Sequence, residues 1–156
     1  MTSKTTLFLL AGAGAGELPA EARWFYRGQL FCLCRSYAET RGPWLALSPR
    51  YGLVTPEQRL SPYGDSIRSL GPYRREEWAR AVYRYLKPAI EEWDPAAVVF
   101  LAGKLFWIDL APWIVRDFGS IVSSPLQRLT LNEQVLWLRR NGANTRQGNH
   151  DPRRTL

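Results

Sequence analysis

The sequence predicts a three-layer α/β sandwich, a small and mainly parallel sheet of four to five strands flanked by helices. Three observations carry that reading. Residues 5–11, 44–48 and 97–102 are apolar runs without polar alternation, as strands covered on both faces are. Each leads through a Gly- or Pro-bearing segment into a stretch with helical apolar spacing, and strand-helix repetition of this kind builds a parallel sheet. A length of 156 residues with 46% hydrophobic content suits one domain with one core.

The first strand ends in the glycine-rich run 11–16. Lys4 ahead of Leu7-Phe8-Leu9-Leu10 also matches a short secretory signal. The apolar run is at the short end for a signal, and the rest of an α/β domain follows it, so the strand is preferred and a cytoplasmic protein is expected. Residues 20–40 place Tyr26, Leu30, Leu33, Cys34, Tyr37 and Ala38 on one stripe and read as a single helix, stopped by Gly42-Pro43. The second strand, 44–48, opens into the polar loop Ser48-Pro49-Arg50-Tyr51-Gly52. Pro56, Pro62, Gly64, Gly71 and Pro72 make 53–73 a long connection, and such loops in small domains commonly carry function.

From Glu76 the spacing of Trp78, Ala81, Val82, Tyr85, Ala89 and Trp93 predicts an amphipathic helix. Glu76 and Glu77 fall in its first turn, and Pro88 kinks it or marks its last turn. After the third strand, Gly103-Lys104 turns into a helical stretch to about residue 118, interrupted by Pro112. Residues 120–123 are a weak fourth strand, and Thr130-Leu131-Asn132-Glu133 is a capping box that opens a last helix through about Arg140. The domain is expected to span 1–141, with 142–156 a basic, polar and mobile tail.

Net charge is +7, and only Lys4, Lys87 and Lys104 are lysines, so nearly all the positive charge is arginine. Basic charge with many aromatic rings favours a nucleic-acid or phosphate partner. Arg139, Arg140, Arg146, Arg153 and Arg154 fall in the last eighteen residues, which dilutes that argument. Of the seven tryptophans, Trp24, Trp78, Trp93, Trp107, Trp113 and Trp137 fall on helical stripes and Trp44 on a strand. So many rings in a small domain cannot all be buried, and one or two are expected to line a pocket or a subunit contact. Cys32 and Cys34 point in different directions on a helix and read as separate buried thiols. His150 is the sole histidine, which removes Ser-His-Asp and Cys-His catalysis and leaves no visible metal cluster.

In an open α/β sheet the ligand site lies outside the carboxyl ends of the strands. That rule gathers 12–16, 48–52, 103–104 and 123–127 onto one rim, with the Pro62-Tyr63 loop beside them. Gly12 and Gly14 can bring backbone amides to a phosphate, although the dinucleotide fingerprint is broken at Glu17 and the plain alternative is a tight turn. Ser48, Arg50 and Tyr51 offer a hydroxyl, a guanidinium fork and a phenol, weighed against a structural turn. Tyr63 is a base-stacking wall or a loop anchor, Lys104 an anion ligand or a solvated side chain, and Arg27 a rim or surface arginine. Gln134 is the freer polar group of the last helix, since Glu133 is taken by its cap. Asp65 is a candidate general base or cation stabiliser for a reaction at an N-glycosidic bond, against a turn-forming role.

The motifs Tyr26-x-Gly28-x-Leu30-Phe31, Tyr37-Ala38, Trp44-x-x-Leu47-Ser48-x-x-Tyr51-Gly52-Leu53, Pro62-Tyr63, Phe100-Leu101-Ala102-Gly103 and Glu133-Gln134-x-x-Trp137-Leu138, in that order, resemble a bacterial and phage domain of unknown function. That domain is distantly similar to the YaaA peroxide-stress family. The resemblance implies an association with DNA, nucleotides and protection from oxidative DNA damage. Members usually carry a Cys or Ser and one or two Lys just after the first strand, where this chain has Ala11-Gly12-Ala13-Gly14-Ala15-Gly16. They also tend to have Asp directly after Pro-Tyr, where Gly64 here precedes Asp65.

Two functions of different class follow. The first is a nucleotide-, nucleoside- or modified-base-binding protein, with enzymatic action at the base or N-glycosidic bond left open and Ser48 and Asp65 as the catalytic candidates. The second is a DNA-binding accessory protein using Arg74, Arg75, Arg80 and Arg84 on the exposed face of the long helix together with the arginine tail, or an inactive family copy serving as an interaction subunit. No cofactor and no membrane partner are expected, and homo-oligomerisation is left open.

Overall fold

The structure, a computed structural model, describes residues 5–143. In chain order the elements are β1 (Thr6–Ala11), β2 (Ala20–Glu21), α1 (Ala22–Phe25), α2 (Gln29–Glu39), β3 (Trp44–Ser48), β4 (Gly52–Val54), β5 (Arg59–Leu60), a 3-10 turn (Ile67–Ser69), α3 (Pro72–Trp93), β6 (Ala97–Leu101), α4 (Lys104–Trp107), α5 (Leu110–Phe118), β7 (Ile121–Ser123) and α6 (Leu131–Arg140). Five strands form one sheet in the order β4-β3-β1-β6-β7, and β2 pairs with β5 in a separate antiparallel ribbon.

β1 is the central strand. It runs parallel to β3, with Phe8 opposite Trp44 and Ala11 opposite Leu47, and parallel to β6, with Thr6 opposite Ala97 and Leu10 opposite Leu101. Leu7, Phe8, Leu9 and Leu10 are all buried, because successive side chains point to opposite faces and both faces are covered. Phe8 and Leu10 pack with Phe31, Leu33 and Ala38 of α2 and Leu138 of α6. Leu7 and Leu9 pack on the other face with Val82, Leu86 and Ile90 of α3, Phe106 of α4 and Ile114 of α5. The three predicted layers are therefore present.

Several boundaries differ from the sequence reading, each for a physical reason. The expected helix over 20–40 is two helices and a strand. Ala20 and Glu21 pair with Leu60 and Arg59, and the amides of Ala22 and Arg23 donate to Gln58 O and Pro56 O. Gly28 is extended (φ −62°, ψ 147°) and restarts the helix at Gln29. The segment 48–52, expected to be a loop, is a tight hairpin: Ser48 pairs with Gly52, whose φ of +75° is the glycine-favouring conformation of a three-residue hairpin turn. β4 was missed because three residues are too few to show alternation.

The long helix α3 starts at Pro72 rather than near Glu76, since proline fits the first helical position, where its missing N–H costs nothing. Glu76 accordingly lies in the second turn, where it pairs with Arg80 at 2.8 Å. Pro88 neither ends the helix nor marks its last turn. It sits on the exposed face, where the freed carbonyl meets water, while Leu86 and Ile90 hold the inner face down to Trp93. Pro112 falls in the first turn of α5, so the interruption precedes it. The capping box is present in full: Glu133 N donates to Thr130 Oγ1 at 3.3 Å, and Thr130 N donates to Glu133 Oε1 at 3.0 Å.

Cys32 and Cys34 are free buried thiols. All seven tryptophans lie on the elements read for them, and of the seven Trp44 alone is buried. Residues 142 and 143 still belong to the packed body, since Ala143 N donates to Leu138 O at 2.9 Å and Ala143 packs on the core. The remainder of the expected tail, with Arg146, His150, Arg153 and Arg154, lies outside the described residues. No described helix is long and apolar enough to cross a membrane.

Candidate functional site

The chain leaves β1 toward α1 and α2 on one face and leaves β6 toward α4 on the other. Adjacent parallel strands whose connections depart to opposite faces leave a crevice between them, and that crevice is where doubly wound sheets place ligands. Here it is a cleft with two adjoining lobes. One, about 530 Å³, is mostly apolar and is walled by Phe31, Cys34, Leu101, Trp107, Leu126 and Leu129. The other, about 780 Å³, opens toward the long loop and is lined by Pro49, Tyr63, Asp65, Ser66 and Arg68. Ala11, Ala13, Gly14, Leu30, Gly103, Lys104 and Gln134 border both. Each volume is within the range of small-molecule sites.

The glycines after β1 are set by space and torsion. A Cβ on Gly12 would lie 2.7 Å from Leu47 O and 2.8 Å from the Tyr26 hydroxyl, so any side chain there pushes β1 away from its neighbours. Gly14 has φ +76° and turns the chain along the neck of the cleft.

Beneath this turn lies a knot of hydroxyls. Ser48 Oγ accepts from Tyr51 N at 2.9 Å and Arg50 N at 3.2 Å, which caps the hairpin. Ser48 Oγ donates to the Tyr63 hydroxyl at 3.1 Å, and the Tyr63 hydroxyl donates to Gly12 O at 3.3 Å. The Tyr26 hydroxyl, 2.8 Å from that of Tyr63, must then be a donor to it. Every proton in the knot has one acceptor. Burial raises the pKa of both phenols, most strongly at Tyr26, where donation to Tyr63 adds to the rise, so neither serves as a base near neutrality.

The cleft is cationic. Lys104, Arg68 and Arg128 line it, and none has an ion-pair partner among the described residues. By contrast Arg23, Arg75, Arg80 and Arg116, away from the cleft, each lie against a carboxylate. Asp65 is the carboxylate lining the loop lobe. The start of α2 adds Gly28, Leu30 and Phe31 to the apolar lobe, and Gly28 caps that helix without a side-chain hydrogen bond. Gln134 reaches the neck and donates through Nε2 to Leu129 O at 3.0 Å. Cys34 is no nucleophile, because burial pushes its thiol up to about 12. Among the described residues no three His, Cys, Asp or Glu side chains cluster as metal ligands.

Of the residues singled out in the sequence, Gly12, Gly14, Tyr63, Asp65, Lys104 and Gln134 line the cleft. Ser48 does not: it is fully buried below the rim with its hydroxyl committed to the hairpin and to Tyr63. Tyr51 brackets the loop instead, accepting from Ser61 N at 3.1 Å and facing Ser61 O at 3.2 Å. Arg27 and Arg50 are exposed and outside the lining. Sequence reasoning missed Arg68 and Arg128. Arg128 lies one residue past the rim segment 123–127, between Leu126 and Leu129, and the spacing of two apolar anchors around two polar residues was the available signal.

A family model described as a family of unknown function, DUF6884, matches residues 8–140, a span that contains the whole cleft. No curated protein and no solved structure matches the chain.

Proposed function

The chain belongs to DUF6884, a family of unknown function, and from that premise we propose that it binds a nucleotide, nucleoside or modified base in the cleft between β1 and β6. The observation that carries the reading is the pairing of an apolar wall with three cations, Arg68, Lys104 and Arg128, that lack carboxylate partners among the described residues. A planar base suits the wall and an anionic group suits the cations. The similarity to the YaaA family read from the sequence leans the same way, toward nucleotides and nucleic acid. For a reaction at the base or N-glycosidic bond, Asp65 in the loop lobe is the candidate general base or cation stabiliser. Ser48 has no part in it, since its hydroxyl is buried and fully engaged.

A second reading, an accessory protein that binds DNA, is favoured by one observation. A shallow groove of about 330 Å³ between α3 and α5 is lined by Arg80, Arg84 and Arg116 around Tyr83 and Trp113.

Titration with the four common nucleoside 5′-monophosphates and their nucleosides, followed by tryptophan fluorescence and calorimetry, separates the two. The cleft reading predicts saturable quenching that is lost in Trp107→Phe, whose indole lines the apolar lobe, with weak dependence on salt. DNA binding that collapses between low and moderate salt, with no nucleotide or nucleoside bound, would replace it by the groove.

A further inference from the structure

Between β7 and α6 the chain crosses the mouth of the apolar lobe. Leu126 and Leu129 are anchored in the core on the α2 side of the sheet, so the two residues between them bridge the anchors from outside. Arg128 does this with φ +70°, in the left-handed region that favours glycine or asparagine. The frame around it is fixed. Gln127 N donates to Ser124 O at 3.1 Å, Leu129 N to Leu126 O at 3.3 Å, and Gln134 Nε2 to Leu129 O at 3.0 Å, while the capping box closes the next turn.

An arginine is therefore held where the backbone would be more comfortable with glycine. Strain of this kind collects where a side chain is needed for binding. Arg128 lines the apolar lobe together with Lys104, and no acidic residue lines that lobe. Neither cation has an ion-pair partner among the described residues.

We propose that Arg128 is the specificity residue of the cleft: with Lys104 it grips the phosphate of a nucleoside monophosphate whose base lies against Phe31, Leu101 and Trp107. This rests on the nucleotide reading above. The planar guanidinium takes two phosphate oxygens and the ammonium a third, which distinguishes the phosphorylated ligand from its nucleoside.

Two variants that suit a positive φ, Arg128→Gly and Arg128→Asn, test it against the same four nucleotides, their nucleosides and inorganic phosphate. The expected result is a melting temperature no lower than that of the unsubstituted protein. Nucleotide affinity falls about tenfold or more, nucleoside affinity is unchanged, and inorganic phosphate binds more weakly than any nucleotide that binds. Unchanged nucleotide affinity in both variants overturns the role of Arg128, as does a lowered melting temperature with every ligand weakened alike. Inorganic phosphate binding as tightly as the nucleotides overturns the placement of the base. An unsubstituted protein that binds neither nucleotides nor nucleosides overturns the nucleotide reading itself.

Discussion

The Tyr63 hydroxyl has one proton to give and two lone pairs to fill, and the fold uses all three. It takes protons from Tyr26 and Ser48 and gives its own to Gly12 O, so one oxygen ties α1, the β3 hairpin, the long loop and the end of β1 together. Tyr63→Phe leaves a part-buried carbonyl and two hydroxyl donors without that partner. It is expected to lower stability by about 1–3 kcal/mol in a denaturant titration. Ser48→Ala is expected to cost about 1 kcal/mol through the uncapped amides of Arg50 and Tyr51 while leaving ligand affinity unchanged; a large loss of affinity without loss of stability would restore Ser48 to the site. The place of Ser48 and Tyr51 outside the cleft lining was not legible in the sequence, for a definite reason. Ser48 and Tyr51 are polar at a strand end, as site residues are, but their partners Tyr63 and Ser61 are fifteen and ten residues away and no local pattern shows the contact. Lys104 and Gly14 were legible because they directly follow the ends of β6 and β1, and Asp65 because the long loop that carries it runs beside the same rim.

At the scale of elements, local signals survived and distant ones did not. The capping box of α6 is complete within four residues and appears as read. The break in the expected helix over 20–40 comes from pairing with β5, a contact that a helical stripe cannot reveal. The join between α3 and α5 makes its own prediction. Tyr83 donates to Asp117 Oδ2 at 2.6 Å, and Arg116 donates to Asp117 through Nε at 2.8 Å and Nη2 at 3.1 Å. The Arg116 guanidinium, and after it the Tyr83 hydroxyl, hold the Asp117 carboxyl well below the usual carboxylate range. A carboxyl depressed in the folded state stabilises above its unfolded value and loses that contribution as pH falls toward its folded value. In thermal melts taken from about pH 5 downward, Asp117→Asn should therefore flatten part of the acid-side loss of stability. An acid limb identical to that of the unsubstituted protein would remove Asp117 from the account.

For the whole molecule, function follows from the order in which the strands are laid down. The chain builds outward from β1 to β3 and β4, returns across the sheet through α3, and builds outward again through β6 and β7. The reversal opens the crevice between β1 and β6, and the cations that stand there without carboxylate partners set its chemistry. The net charge of +7 counted from the sequence says little by itself, since Arg23, Arg75, Arg80 and Arg116 lie against carboxylates away from the cleft. The central claim is that this cleft, and not the arginine-bearing groove between α3 and α5, takes the ligand. Backbone amide chemical-shift mapping during titration with adenosine 5′-monophosphate, guanosine 5′-monophosphate, cytidine 5′-monophosphate and uridine 5′-monophosphate tests it most directly. Shifts confined to residues 11–15, 28–31, 63–68, 101–105, 126–129 and 134 are the predicted result, and shifts centred on Arg80, Arg84 and Arg116, or none with any of the four, would contradict it.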